Sequence, residues 1–174
     1  MNPRRMLPFL TALLIILAVE SLPAQSSSNS AKEIATIREQ WVTNWNAKNL
    51  EPIVKLYAQD AVLLPSTGQR IEGRDAIGNY LKRVMVSSTG NLSVTSVSEE
   101  DAGKLAFDSG SFQDAVKAGG GGIGGNGGIG GRGGIGGGGQ RRVEGNYLIV
   151  LKRGPGGKWL IVQHASTEVP PAAN

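Results

Sequence analysis

Apolar residues along this chain change period twice, and the changes divide it into elements. From Ala31, Ile34, Ile37, Trp41 and Trp45 recur at spacings of three and four, which places them on one face of a helix. Ser30 with Glu33 three residues on has the capping-box arrangement, and Asn46 and Asn49 suit the chain's exit from the helix. A second helix is predicted over Glu51 to Ala58, with Pro52 in its first turn and Ile53, Leu56 and Tyr57 on its buried side. The run AVLLP (61–65) reads as a short strand, and Ser66-Thr67-Gly68 as the turn to a partner over Gln69 to Glu72. A third helix is predicted from Arg74 to about Met85, with Ile77, Leu81 and Val84 on one face.

Beyond it the period becomes two. Leu92–Ser98, Lys104–Lys117, Val143–Arg153 and Lys158–Thr167 carry β-branched and aromatic residues bounded by Gly and Asp. They predict four strands of one antiparallel sheet, the last two joined by GPGG (154–157) as a tight hairpin. Helices followed by a run of strands is an α+β order. One segment interrupts it: 119–139 holds 16 glycines in 21 residues, with Ile123, Ile129 and Ile135 six apart. Glycine loses the most backbone freedom on ordering, so this segment is expected to be a flexible loop at the tip of a long hairpin. No GK[ST] follows it, which argues against a phosphate loop.

Arg4 and Arg5 precede an apolar run from Met6 to Val19, and Ala24 offers a small residue for cleavage. That order predicts a secretory signal peptide over 1–24, and the run is shorter than the roughly 20 residues that span a bilayer. Export to periplasm or medium is expected, with no stable membrane anchor after cleavage. A disordered spacer (25–30), one domain (31–168) and a disordered tail (169–174) complete the organisation. The chain has no cysteine, hence neither a disulfide nor a lipid-bearing cysteine. Its net charge of +4 is small and scattered, and no basic stripe with interleaved aromatics argues for nucleic acid.

The motifs WVTNWNAKN (41–49), LYAQDAVLLP (56–65), IEGRDAIGNYL (71–81), AFDSGSF (106–112), GNYLIVLKR (145–153) and GGKWLIVQHAST (156–167), in that order, resemble the nuclear transport factor 2-like superfamily. Within it they are similar to the SnoaL-like and ketosteroid isomerase-like branches. The resemblance implies a cone: a strongly curved antiparallel sheet wrapped around the long first helix, with a cavity open at one end. It also implies dimerisation through the outer sheet face, and a small-molecule ligand.

Activity does not transfer with the fold. The isomerases carry a carboxylate base just beyond the LYAxDA step, where this chain reads Val62-Leu63-Leu64-Pro65, and leucine cannot abstract a proton. Several relatives place histidines on the inward face of the last strand. Strict period two from Trp159 runs through Ile161, Gln163, Ala165 and Thr167, which assigns Gln163 to the pocket and turns His164 away. The expected pocket residues are therefore Trp45, Tyr57, Tyr147 and Gln163, although for the tryptophans and tyrosines plain core is the leading reading. Asp60 and Asp108 are the candidate acid–base carboxylates. Asp60 more simply caps or pairs, with Arg74 as the suggested partner. Asp108 and Asp114 share a strand face whose plainer reading is solvent.

A lone histidine without cysteine builds no typical zinc set, so neither metal nor cofactor is expected. Three functions remain open: a binding module for a small, mostly apolar molecule with little or no catalysis; an isomerase- or hydrolase-type enzyme using Asp60 or Asp108; and a dimeric assembly protein.

Overall fold

The computed structural model describes residues 24–117 and 139–169. Residues 1–23 of the predicted signal segment, nearly all of the glycine-rich loop (119–138) and 170–174 of the tail lie outside the described residues. Helix α1 (Ala24–Asn46) is followed by α2 (Leu50–Lys55), strands β1 (Tyr57–Leu64) and β2 (Ile71–Glu72), and helix α3 (Arg74–Met85). Then come β3 (Ser93–Asp101), β4 (Leu105–Lys117), β5 (Gln140–Arg153), a 3-10 turn (Pro155–Gly157) and β6 (Trp159–Glu168).

The sheet order is β2-β1-β6-β5-β4-β3. The four expected strands, β3 to β6, pair antiparallel as read from the sequence; β1 joins them parallel to β6 and antiparallel to β2, which makes the six-stranded sheet mixed. Strand β1 also begins at Tyr57, four residues before the predicted start, and ends the second helix at Lys55. Tyr57 is fully buried in that strand. The third helix keeps its predicted span.

Helix α1 lies in the concave side of the curved sheet. Its buried stripe is the predicted one: Ile34, Ile37, Trp41 and Trp45 are all buried, and the Trp41 and Trp45 rings stack 5.0 Å apart at 12°. The helix starts at Ala24 rather than after Ser30. Ser30 is therefore inside the helix and does not cap it, and the segment read as a spacer (25–30) is its first turns. The Ser30 hydroxyl takes a hydrogen bond from Arg153 Nη2 at 2.8 Å instead.

Three devices hold the helix to the sheet. Arg153 lies over the Trp159 ring (4.3 Å) and reaches Glu33, tying the start of the ordered stripe to the β5–β6 end. The Asn46 side chain both donates to Leu92 O and accepts from Leu92 N, fixing the entry to β3. Trp45 Nε1 donates to Ser88 Oγ at 3.0 Å and to the buried Asp114 at 3.3 Å.

Irregularities in pairing set which side chains face the helix. Gln163 pairs with Val150, but Leu151 pairs with Ile161, so Val162 is the extra residue of a β-bulge. A second bulge sits at Val97, where Ser96 and Ser98 oppose consecutive residues of β4.

Candidate functional site

The bulge at Val162 reverses the face that strand β6 presents. Trp159 and Ile161 are buried on the helix side; after the extra residue, His164 and Ser166 take that side. Gln163 is left exposed on the outside. The assignment of Gln163 to the pocket and of His164 to the opposite face is thus corrected. Strict period-two counting fails by one residue across a bulge, and every later side chain changes face.

Between α1 and the sheet lies a half-open pocket of about 40 Å³. Ile37, Arg38, Trp41 and Val42 line it from the helix, Val94 and Phe112 from β3 and β4, and Tyr147, Ile149, Ile161, His164 and Ser166 from β5 and β6. The walls are almost wholly apolar. Of the expected pocket residues, Tyr147 lines it. Trp45 sits in the core behind Trp41, held by Ser88 and Asp114, and Tyr57 stands behind His164.

His164 is 6 % exposed, and burial pushes its pKa down to about 4, so the ring is neutral near pH 7. Its Nδ1 is 2.7 Å from Tyr57 OH, and Tyr57 OH accepts from Trp41 Nε1 at 3.2 Å. Indole nitrogen only donates. A phenol oxygen could accept from both neighbours, but only donation of the Tyr57 hydrogen to His164 Nδ1 satisfies that buried hydrogen, and the chain Trp41→Tyr57→His164 then puts the imidazole hydrogen on Nε2. Tyr57 itself, desolvated completely, stays protonated far above neutral pH. Ser166 Oγ is buried with no hydrogen-bond partner among the described residues.

Asp108 is fully buried, not solvated as the plainer sequence reading had it. It accepts from Arg38 Nη1 at 2.7 Å, Ser96 Oγ at 2.5 Å and Tyr147 OH at 3.1 Å. Arg38 Nη1 also meets Glu99 at 3.4 Å. Burial works against the Arg38 charge, but the Asp108 carboxylate outweighs it and the guanidinium pKa is raised. Burial, followed by the charge of and hydrogen bond to Asp108, raises the Tyr147 hydroxyl.

Asp114, also buried, has its pKa raised by desolvation and accepts from Ser88, Trp45 and its neighbour's amide. Asp60 is exposed on β1. Its suggested partner Arg74 donates to Tyr57 O instead, at 2.8 Å. Among the described residues no aspartate or glutamate lines the pocket. Among the described residues no three His, Cys, Asp or Glu side chains group as metal ligands.

The SnoaL-like domain family model matches residues 39–124. The chain has the nuclear transport factor 2-like fold, and its residues 39–124 are similar to the SnoaL-like domain. Solved structures agree on the fold. A ketosteroid isomerase-like protein from Erwinia carotovora atroseptica superposes with a TM-score of 0.64 at 13% identity, over 80% of this chain and 96% of that one. A putative calcium/calmodulin dependent protein kinase II association domain from Xanthomonas campestris gives 0.60 at 21%, over 92% and 100%. A nuclear transport factor 2-like superfamily protein from Salmonella enterica serovar Typhimurium gives 0.63 at 12%, over 84% and 95%. No curated protein matches the chain in sequence.

The pocket thus lies between the long helix and the sheet. A neutral histidine and a serine stand among apolar walls, and the buried carboxylate of Asp108 beside the pocket accepts from Arg38, Ser96 and Tyr147.

Proposed function

We propose that this chain is an exported binding module that holds a small, mostly apolar molecule in the α1–sheet pocket without strong catalytic activity. The observation that carries the reading is the state of Asp108. Arg38, Ser96 and Tyr147 all direct hydrogen bonds at its carboxylate, and it is absent from the pocket lining. A general base must reach its target proton, and this carboxylate is turned to Arg38, Ser96 and Tyr147 rather than to the pocket. Asp60 is on the exterior, so neither carboxylate considered for an isomerase- or hydrolase-type enzyme is placed for it.

Size supports a compact guest. A volume near 40 Å³ exceeds the roughly 10–15 Å³ that one water needs. The open side lets a larger ligand insert one apolar end. Apolar walls with a few polar groups are the usual composition of such sites.

The reading extends to a homodimer. On the outer face, Leu64 of β1 pairs with Ala165 of β6, which pairs with Leu148 of β5. Leu64 and Leu148 are 41% and 42% exposed, giving an apolar row across three strands that a second copy would cover. Export rests on the basic and apolar N-terminal pattern.

A thermal-shift and native mass spectrometry screen of small apolar molecules tests the binding claim. A ligand at 100-fold excess over its Kd stabilises by about 2.7 kcal/mol, a rise of several degrees in Tm. Filling the pocket with Val94→Phe should abolish that rise while the protein stays folded. If no small molecule shifts Tm, or the shift survives Val94→Phe, the reading is wrong.

A further inference from the structure

We propose that the end of the molecule where α3, β4 and β5 meet docks on an anionic lipid surface, through six Lys and Arg side chains set around the exposed Val86. In sequence these cations are far apart; the fold collects them. Lys82 and Arg83 stand in the last turn of α3, and Val86, three and four residues on, shares their helical face and is 72% exposed. Lys48, in the turn after α1, donates to Met85 O at 2.9 Å and to Ser88 O at 2.5 Å. Ser88 bridges Val116, and Lys117 N donates to Ser87 O at 2.8 Å, which brings the end of β4 alongside. Across from it on β5, Arg141 pairs with Val116 and Arg142 with Ala115. All six are exposed.

Positive charge is concentrated at this end. Among the described residues three carboxylates accompany the six cations there: Asp114, Glu144 and Glu168. Asp114 is buried, Glu144 pairs with Arg142, and Glu168 acts with Arg83 on Tyr80. The other ten Lys and Arg of residues 25–174 are matched by ten Asp and Glu, so the whole net positive charge of that stretch falls here. The crowding is felt at Lys48: burial pushes its ammonium pKa down, Asp114 holds it up, and the Lys117 charge pushes it down further. An anionic partner relieves that repulsion.

Val86 decides between kinds of polyanion. Lipid headgroups meet the cations while the acyl boundary just beneath them takes a protruding apolar side chain. A nucleic acid strand would call for exposed rings on which bases stack, and the aromatic side chain here, Tyr80, is buried beneath Arg83. Docking of this kind is peripheral and reversible, and salt weakens it.

The test is co-sedimentation of the full chain with vesicles of equimolar phosphatidylglycerol and phosphatidylcholine, and with vesicles of phosphatidylcholine alone, in low-salt buffer. Each cation at an anionic surface is worth about fivefold in partitioning, so Lys82→Gln, Lys117→Gln and Arg141→Gln together should lower partition to the anionic vesicles about a hundredfold. Partition to the neutral vesicles and Tm should both stay as in wild type. Residues 1–24, common to every variant, cancel in that comparison. Val86→Ser, with every charge kept, should lower partition to the anionic vesicles about threefold. If wild type ignores the anionic vesicles, or the triple variant binds them as wild type does, the inference falls. If Val86→Ser changes nothing and soluble polyphosphate strips wild type from the vesicles, the partner is a soluble polyanion and the lipid assignment falls.

Discussion

The Tyr57 hydroxyl lies 2.7 Å from Nδ1 of His164, so a residue at the first position of β1 sets the tautomer of a pocket residue 107 positions later. Parallel pairing of β1 with β6 makes this possible, placing Tyr57 opposite Ile161 just before the bulge. Replacing Tyr57 by Phe leaves Trp41 Nε1 without its acceptor and Nδ1 without its donor, both buried. We expect a loss of about 2 kcal/mol, read as a lower urea midpoint at unchanged slope. An unchanged midpoint would show that the contact contributes nothing.

Stability should depend on pH through His164. Its pKa is about 4 in the folded protein against 6.5 for the unperturbed group. Between these values the unfolded chain binds a proton that the folded chain refuses, so stability falls as pH drops from 6.5 towards 4 and levels below that. The full span is about 3 kcal/mol. Asp114, whose pKa is raised by burial, acts in the opposite sense as carboxylates protonate. Subtracting the urea-derived curve of His164→Phe from that of wild type isolates the histidine. A flat difference curve over pH 4–6.5 would refute the burial of the neutral ring.

Asp108→Ala should cost about 3 kcal/mol, because it leaves Arg38 facing an emptied buried site. The same substitution should leave binding of a neutral apolar probe within about threefold. A large loss of binding at preserved stability would instead make Asp108 part of the binding or reacting machinery.

Gly145 is required by a close approach rather than by its backbone angles. A Cβ there would lie 1.9 Å from Thr167 O and 2.7 Å from the Phe112 ring, which is itself a wall of the pocket. Gly145→Ala should therefore destabilise by about 2 kcal/mol or more. It should also shift the NMR signals of Phe112. A Tm equal to wild type would contradict this packing.

The helices were legible because their signals are local. The i, i+3, i+7 stripe of α1 and the span 74–85 of α3 need only neighbouring residues to be read. Strand β1 was harder: Tyr57 continues a helical apolar pattern, and only its pairing with Ile161, a tertiary contact, draws it into the sheet. The N-cap at Ser30 failed for a related reason, since Arg153, far away in sequence, claims its hydroxyl.

At the site, Tyr147, read from the sequence as core or pocket, lies on the pocket wall. Gln163 and His164 were exchanged by a single bulge at Val162, a residue whose type gives no hint of one. The only available signal was chemical. An exposed Gln and a buried His fit the residue set of a pocket better than the strict count did. Asp108 sits beside Ser109, Gly110 and Ser111, a polar stretch that reads as solvated, and nothing local announces Arg38 as its partner 70 residues earlier.

Because the chain carries one histidine, its ring can be observed without assignment. Long-range proton–nitrogen NMR on uniformly labelled protein, titrated from pH 7.5 to 4, should show a single Nε2–H tautomer and a midpoint near 4. A midpoint between 6 and 7 with mixed tautomers would place His164 in solvent on the outer face, and the pocket as described would not exist.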